Sequence, residues 1–273
     1  MTLRLIVNAD DYGITAATNR GIERAHLVGV VTSTTVMANQ SATAEGSDLR
    51  ARCPDLGIGI HLTLTLGTPL APAGTVRSLL DPEGRLLERR LLLAKLRDGE
   101  VVESEVASEC VAQVRALRAM GIEPDHWDVH QHLHEYAGLG EAIAAAMLAE
   151  KVLRARNPRR TRVTRIRLGP RGLLQARRRA PMADLVRRGF TTPDSLFEAS
   201  PRRWGELMRH LPEGVIEAIC HPAEPDDELP ASTIDSAERV AELDALCEGT
   251  LRDQIAERGA QLTTFANAFA AGR

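Results

Sequence analysis

The stretch Leu3-Arg4-Leu5-Ile6-Val7-Asn8, close to the start of the chain, is a short apolar run that predicts a buried β-strand. It ends at Asp10-Asp11-Tyr12-Gly13, where the glycine permits a turn, and a helical pattern follows over about 15–27. A buried strand that passes through a turn into a helix is the unit from which α/β proteins are built. This stretch therefore indicates the fold class.

The same alternation continues along the rest of the chain. Further strands are predicted at 30–37, 57–64, 126–129, 164–168, 215–220 and 261–264, and further helices at about 42–52, 101–120, 138–154, 173–188, 201–211 and 232–258. Alternation from end to end predicts a parallel sheet flanked by helices, and the number of strands suits a closed or nearly closed, TIM-barrel-like barrel. We expect a single domain over 1–273, with a possible arginine-rich insertion at about 151–190.

Composition limits the classes of protein to which the chain can belong. Its 273 residues are 44% hydrophobic, without a long unbroken apolar segment, so we expect a large core and no membrane span. The net charge is −3, which gives no reason to expect a nucleic-acid partner. The first residues lack the order of a signal peptide, which predicts a cytoplasmic protein. The four cysteines form no CxxC pair, which argues against a disulfide framework and a thiolate zinc site.

Arginine is concentrated between Lys151 and Arg188. Two interpretations of this stretch stay open. It is either a solvated surface segment or a contact surface for an anionic ligand or another subunit.

Polar side chains occur where the predicted strands end. Strand one leads into Asp10 and Asp11, the strand at 57–64 carries His61, and the strand at 215–220 is followed by His221. The working residues of α/β proteins lie at the carboxyl ends of strands, so these side chains are candidates for one site. Five of the eight histidines are in this set: His61, His130, His132, His134 and His221.

The histidines that follow the strand at 126–129 have the spacing of metal ligands. His130, His132 and His134 alternate, so in an extended segment all three side chains would lie on one face. An H-x-H pair alone is a weak signal. Together with a carboxylate and a further imidazole it favours a catalytic zinc or similar divalent ion with open coordination positions.

The adjacent Asp10 and Asp11 need a separate explanation, because neighbours on a regular strand point to opposite faces. We expect the turn through Gly13 to bring both into the pocket. Two close carboxylates repel unless a cation neutralises them. One can then bind a metal while the other accepts a proton from the water on that metal. Capping of the following helix is an alternative for one of them, but it does not explain the histidines.

Five motifs in this order resemble the YdjC-like carbohydrate deacetylases, which include the chitooligosaccharide deacetylases. The matching segments are Leu5-Ile6-Val7-Asn8-Ala9-Asp10-Asp11-Tyr12-Gly13, Gly29-Val30-Val31-Thr32-Ser33-Thr34-Thr35, Gly59-Ile60-His61-Leu62-Thr63-Leu64, Asp128-Val129-His130-Gln131-His132-Leu133-His134 and Cys220-His221-Pro222-Ala223. The resemblance implies a distorted barrel of parallel strands, one divalent metal ion (Zn²⁺ or Mg²⁺), hydrolysis of an N-acetyl group on an amino sugar, and a homodimer.

The resemblance also implies a role for individual residues. By position, the metal ligands fall on Asp11, His61 and His130, the catalytic base on Asp10, and a candidate acid or substrate contact on His221. The residues expected to contact the substrate are His132, His134, Tyr12 and Trp127. Tyr12 stands where the family usually has phenylalanine, and Val129 where a small polar residue is common. Because aromatic residues are only 3% of the chain, one or two sugar units are favoured over a long polysaccharide.

Two alternative functions stay open. A metal-dependent phosphoesterase or another amidohydrolase uses similar residues on the same scaffold, and a phosphoesterase would be indicated by two metals about 4 Å apart. A non-catalytic protein that binds RNA or an anionic lipid through the arginine-rich stretch leaves the aspartates and histidines unexplained. The sequence does not distinguish an acetyl from a formyl substrate.

Overall fold

The computed structural model describes residues 3–157, 185–209 and 211–270. The strand predicted at 164–168 and most of the helix predicted at 173–188 lie outside these residues. The same holds for most arginines of the stretch between Lys151 and Arg188.

The described strands form one sheet in which all pairings between strands are parallel. The strands are β1 (Arg4–Tyr12), β2 (Ser33–Val36), β3 (Gly57–Leu62), β4 (Trp127–Val129), β5 (Ser195–Glu198), β6 (Val215–Cys220) and β7 (Gln261–Leu262). Their order is β4-β3-β2-β1-β6-β5, and β7 pairs with the start of β1. The central strand β1 is buried almost throughout, as expected for a parallel sheet covered on both faces. The prediction of a parallel α/β fold is confirmed.

Single-residue bridges extend the sheet beyond its edge strand β4. Trp127 pairs with Ala155, and Arg154 pairs with Thr191, which precedes β5. These bridges continue the sheet from β4 towards β5, and the sheet curls as in a distorted parallel barrel. This arrangement places Arg156 beside the barrel interior, within hydrogen-bond distance of Asp10.

The described α-helices surround the sheet. They are α1 (Ala16–Leu27), α2 (Leu49–Arg52), α3 (Arg89–Arg97), α4 (Glu103–Ala119), α5 (Leu139–Ala149), α6 (Trp204–Arg209), α7 (Ser236–Cys247), α8 (Gly249–Glu257) and α9 (Phe265–Ala268). Helix α1 begins as the sequence predicts, because the Thr15 side chain accepts a hydrogen bond from the Thr18 amide and caps it. None of the described helices combines the length and the apolarity that crossing a membrane requires.

Several boundaries differ from the predictions. The helix expected at 232–258 is two helices, because Glu248 has an extended backbone (φ −66°, ψ 128°) between α7 and α8. The segment at 42–52 is a 3₁₀ turn (Thr43–Asp48) followed by one short α-helical turn. Helix α3 and strand β5 were not predicted. Strand β5 has only four residues, too few for a clear alternation, and a single residue of α3 is buried.

Candidate active site

A pocket of about 590 Å³ opens at the carboxyl ends of the strands. The aspartates at the end of β1, His61 of β3, His130 after β4, Glu198 of β5 and His221 after β6 all line it. Parallel strands bring their carboxyl ends to the same edge, so residues far apart in sequence meet there. The structure therefore brings together Asp10, Asp11, His61, His130, His132 and His221.

Asp10 and Asp11 both line the pocket because β1 is irregular at this point. The pairing with β2 shifts register between Ala9 and Tyr12, and Asp11 has a left-handed backbone with φ +71°. The strand continues to Tyr12, and the turn through Gly13 is closed by the Ile14 N–H, which donates to the Asp11 carbonyl, so both aspartates lie in the pocket as expected while the break in the strand begins at Asp11 itself. Left-handed backbone is unfavourable for a non-glycine residue and is found preferentially at functional sites.

Three buried donor atoms converge as the ligands of one metal ion would. Asp11 Oδ1 lies 3.2 Å from His61 Nε2 and 3.2 Å from His130 Nδ1, and the two nitrogens are 3.3 Å apart. Tetrahedral ligands at the usual zinc distances of about 2.0–2.1 Å are separated by roughly 3.3–3.4 Å. Asp11 Oδ1 also has no hydrogen-bond partner among the described residues, although it is buried. The donor set therefore fits a divalent ion.

Asp128 orients the first of these imidazoles. Its Oδ1 lies 2.6 Å from His61 Nδ1, which leaves Nε2 facing Asp11. A carboxylate behind a ligating histidine in this way fixes the ring and its tautomer. Burial favours the neutral ring of His61, but the carboxylates of Asp128, Asp11 and Asp10 outweigh burial and raise its pKa to about 10. A bound cation would compete with that proton.

Arg156 holds Asp10 in place. Its Nη1 and Nη2 donate to the two oxygens of Asp10 at 2.7 and 2.6 Å, and it also contacts Asp128 and Glu217 at 2.7 Å. Burial alone would raise the pKa of Asp10, but Arg156 outweighs burial and lowers it. Burial raises the pKa of Glu217 to about 7, although Arg156 opposes the shift.

For Arg156, both interpretations of the arginine-rich stretch, a solvated surface segment and a contact surface, are wrong. It is completely buried, so it is neither a solvated surface residue nor part of an exposed contact surface. Sequence reasoning missed its role because nothing local distinguishes it from the arginines around it.

A second arginine neutralises Asp11. Arg239, on α7, donates from Nη2 to Asp11 Oδ2 at 2.5 Å and from Nε to the Ile234 carbonyl at 3.2 Å. Burial would raise the pKa of Asp11, but Arg239 and the two neighbouring histidines outweigh it and hold that pKa well below the usual value. Each of the adjacent aspartates thus has its own guanidinium. A charged residue on the buried side of an otherwise amphipathic helix is the signal that could have identified Arg239.

His221 lies on the other side of Asp10. Its Nε2 is 3.9 Å from Asp10 Oδ2, and its backbone N–H donates to Glu242 Oε2. Burial lowers the pKa of His221 to about 4, although Asp10 and Asp11 oppose the shift. Burial also raises the pKa of Glu242 to about 8. The resting imidazole is therefore neutral at neutral pH.

The segment after His130 does not have the extended shape expected from its alternating histidines. It is a 3₁₀ turn (His130–Glu135), and Gln131 and His132 have a left-handed backbone with φ 55°. His132 lines the pocket, with Nε2 3.6 Å from Glu198. His134 is buried and packs edge-on against Trp127, with ring centroids 5.9 Å apart. The prediction that the three rings share one face is wrong.

Tyr12 and Trp127 are core residues in this fold. The Tyr12 hydroxyl is 2.9 Å from Glu23 and 3.1 Å from Arg52, and Trp127 packs against Phe190 as well as His134. Both are fully buried, and neither lines the pocket. Their expected contact with the substrate is therefore not supported by their position. Among the described residues, no tyrosine, tryptophan or phenylalanine lines the pocket.

Comparison with known proteins adds independent information. A family model described as YdjC-like protein matches residues 4–257. A carbohydrate deacetylase from Geobacillus stearothermophilus is 35% identical, with 95% of this chain and 96% of the relative aligned. A chitooligosaccharide deacetylase from Klebsiella pneumoniae is 34% identical over 96% of this chain and 97% of the relative. The crystal structure of an Enterococcus faecalis protein named for cellobiose-phosphate cleavage is 30% identical, with a TM-score of 0.79 over 98% of this chain and 99% of that one.

Proposed function

The chain belongs to the YdjC-like family, and from this premise we propose that it is a metal-dependent hydrolase that removes an N-acetyl group from a small amino sugar or amino-sugar conjugate. The names of the relatives from Geobacillus stearothermophilus and Klebsiella pneumoniae support deacetylation of a carbohydrate. The observation that carries the proposal is the convergence of Asp11, His61 and His130 beside the ionised Asp10.

Asp11, His61 and His130 are the residues that would hold the metal. A divalent ion such as Zn²⁺ or Mg²⁺ supplies Lewis-acid chemistry, since it polarises a carbonyl oxygen and increases the acidity of a bound water. Asp128 and Arg239 keep the ligands His61 and Asp11 in position through the hydrogen bonds described above.

Asp10 is the proposed general base. Arg156 lowers its pKa, so the carboxylate is ionised throughout the physiological pH range, the form that accepts a proton from the attacking water, while the same contact makes it a weaker base than an unpaired aspartate. The two hydrogen bonds from Arg156 also fix the direction of the carboxylate. A base held in one orientation avoids the loss of rate that follows from misplacement.

His221 is the proposed proton donor to the leaving nitrogen. Because burial lowers its pKa to about 4, the ring must gain a proton during the reaction before it can donate one. Its Nε2 lies 3.9 Å from Asp10 Oδ2, which is longer than a hydrogen bond, so a bridging water or a small movement of one side chain would carry the proton that Asp10 takes from water to His221 and then to the amine. His132, which lines the same pocket, is the alternative donor.

The pocket supports a small substrate. Its volume of about 590 Å³ is within the usual range for small-molecule sites. No tyrosine, tryptophan or phenylalanine of the described residues lines it, so it lacks the aromatic faces that extended sugar clefts offer. One or two sugar units fit this lining better than a polysaccharide does. We further propose a homodimer and a cytoplasmic location, which size-exclusion chromatography with light scattering and cell fractionation would test.

The test of the function is an assay for acetate and free amine with the Zn²⁺- and Mg²⁺-loaded protein. The substrates are N-acetylglucosamine, its β-1,4-linked dimer and their phosphorylated forms, with the Asp10→Asn variant as the inactive control. We expect acetate and amine in equal amounts from at least one of these sugars. Cleavage of a phosphate monoester without acetate from any sugar would replace the deacetylase with the phosphoesterase.

A further inference from the structure

His126 is a buried histidine to which neither the sequence motifs nor the proposed reaction assigns a role. We propose that His126 carries a proton on both ring nitrogens and positions the base Asp10 through the side chain of Asn8. The part of this proposal that concerns catalysis rests on the proposed function. The part that concerns the protonation of the ring does not.

The side-chain contacts of His126 form a continuous series that ends on Asp10. The Asn8 amide nitrogen is 2.8 Å from Asp10 Oδ1, and the Asn8 amide oxygen is 3.1 Å from His126 Nε2. On the far side of the ring, His126 Nδ1 meets Oδ1 of Asp125, whose side chain is 22% exposed. This series of contacts therefore leads from the protein surface to the proposed base.

The chemistry of these groups determines where the hydrogens lie. Asp10 is ionised and can only accept, so Asn8 must present its NH₂ group to Asp10 and its carbonyl oxygen to His126. His126 Nε2 must then carry a hydrogen to donate to that oxygen. The Asp125 carboxylate also only accepts, so Nδ1 requires a hydrogen as well. A neutral imidazole has only one N–H, and the geometry therefore indicates an imidazolium.

The surroundings of the ring are suited to a cation. The Phe265 ring of α9 stacks on it with centroids 3.9 Å apart and an angle of 11° between the planes. A cation over the face of an aromatic ring is attracted by the negative potential of that face. Gly59 of β3 also lies close to the ring, since an added Cβ there would be 2.6 Å from His126 ring atoms. Glycine at this position is what allows the ring to lie against the strand.

His126 would act as a positioning residue, because it does not line the pocket and reaches the reacting atoms only through Asn8. Without its N–H, the Asn8 carbonyl loses its donor, and the amide is held only through the contacts of its nitrogen with Asp10 and Thr35. Asp10 would keep its bonds to Arg156 but lose the third bond that limits its tilt. We therefore expect slower turnover with unchanged binding of substrate and metal.

The first experiment measures the ring itself, in the full-length Zn²⁺-loaded protein. Two-dimensional ¹⁵N NMR of the histidine rings at neutral pH, with the His126 signals identified by their loss in His126→Gln, should show two protonated nitrogens on His126. One bare ring nitrogen would overturn the proposal. This measurement does not depend on any enzymatic activity, so a failure of the deacetylase assay leaves its result meaningful.

The second experiment separates kcat from KM. His126→Phe should lower kcat on the order of tenfold, a typical effect for a residue that supports a site indirectly, with KM and metal content unchanged. His126→Gln keeps an amide donor for Asn8 and should retain more of the kcat than His126→Phe.

The control is His26→Phe, since His26 Nδ1 contacts the Val31 carbonyl and His26 is not among the lining residues of the pocket. If His126→Phe does not fold, His126→Gln and the NMR result decide. Wild-type kcat in a folded His126 variant would overturn the positioning role.

Discussion

Arg156 donates from both terminal nitrogens to the two carboxylate oxygens of Asp10, although the two residues are 146 positions apart and the arginine is completely buried. A paired contact of this kind fixes both the charge and the direction of a carboxylate. It allows Asp10 to stay ionised directly beside Asp11, a neighbour of the same charge.

Replacement of Arg156 should destabilise the protein and impair catalysis. Arg156→Met leaves the carboxylates of Asp10, Asp128 and Glu217 without their partner, and loss of one member of a buried ion pair typically costs about 3–5 kcal/mol. Arg156→Lys keeps the charge but cannot make the two parallel hydrogen bonds. We therefore expect a smaller loss of stability than in Arg156→Met, together with a reduced kcat. Urea denaturation and steady-state kinetics measure these two effects. The control is Arg20→Ala, which removes an exposed ion pair with Glu224 and should leave the melting temperature almost unchanged. An unaltered midpoint in Arg156→Met would contradict the assignment.

The proposed metal ligands should lose metal and activity together. Replacing Asp11, His61 or His130 by alanine removes one member of a single coordination shell, so metal content and turnover should fall in parallel. Asp128→Asn should weaken metal binding by about 10- to 100-fold, because it removes the group that orients His61. Elemental analysis after dialysis against a known metal concentration checks both. Full occupancy in all three alanine variants would rule out this ligand set.

Asp10 and Asp11 should have separable roles despite their adjacency. Asp10→Asn should retain the metal but lose on the order of 10²-fold or more in turnover, the usual scale for a general base. Asp11→Asn should instead lose the metal. Metal content and kcat of both variants, determined side by side, provide the comparison. If Asp10→Asn empties the site and Asp11→Asn does not, the two assignments must be exchanged.

Glu242 should make the metal-free protein less stable as the pH rises. Its pKa is about 8 in the folded protein, above that of an exposed glutamate, so the folded state binds more protons than the unfolded state between these values. The free energy of unfolding should therefore decrease between pH 6.5 and 8. In Glu242→Gln this decrease should be smaller, although the raised pKa values of His61 and Glu217 contribute in the same direction in both proteins. Urea titrations in a chelator at several pH values measure the slope. Glu257→Gln, an exposed position on α8 that is not among the lining residues of the pocket, should keep the wild-type slope.

Much of the architecture and most of the proposed metal site could be predicted from the sequence. Apolar runs that alternate with helical patterns indicate parallel strands, and parallel strands carry their carboxyl ends to one edge of the sheet. Asp10, Asp11, His61, His130 and His221 lie at or just beyond the carboxyl ends of such strands, and all five line the pocket. The alternating histidines misled the prediction, because the chain leaves the extended conformation at Gln131, and nothing in the alternation marks that turn.

The sequence by itself determined which strands carry polar residues at their carboxyl ends, since hydrophobic periodicity and the first residues after a strand are local properties of the chain. Only the tertiary structure decided which charges neutralise them. Arg156 contacts Asp10 across 146 positions, and Arg239 contacts Asp11 across 228. Both arginines are buried, and the carboxylates compensate their charges. The left-handed backbone of Asp11 is likewise a feature that only the tertiary structure decided. The packing of distant elements sustains such contacts and such strain, and that packing has no counterpart in the neighbouring residues of the sequence.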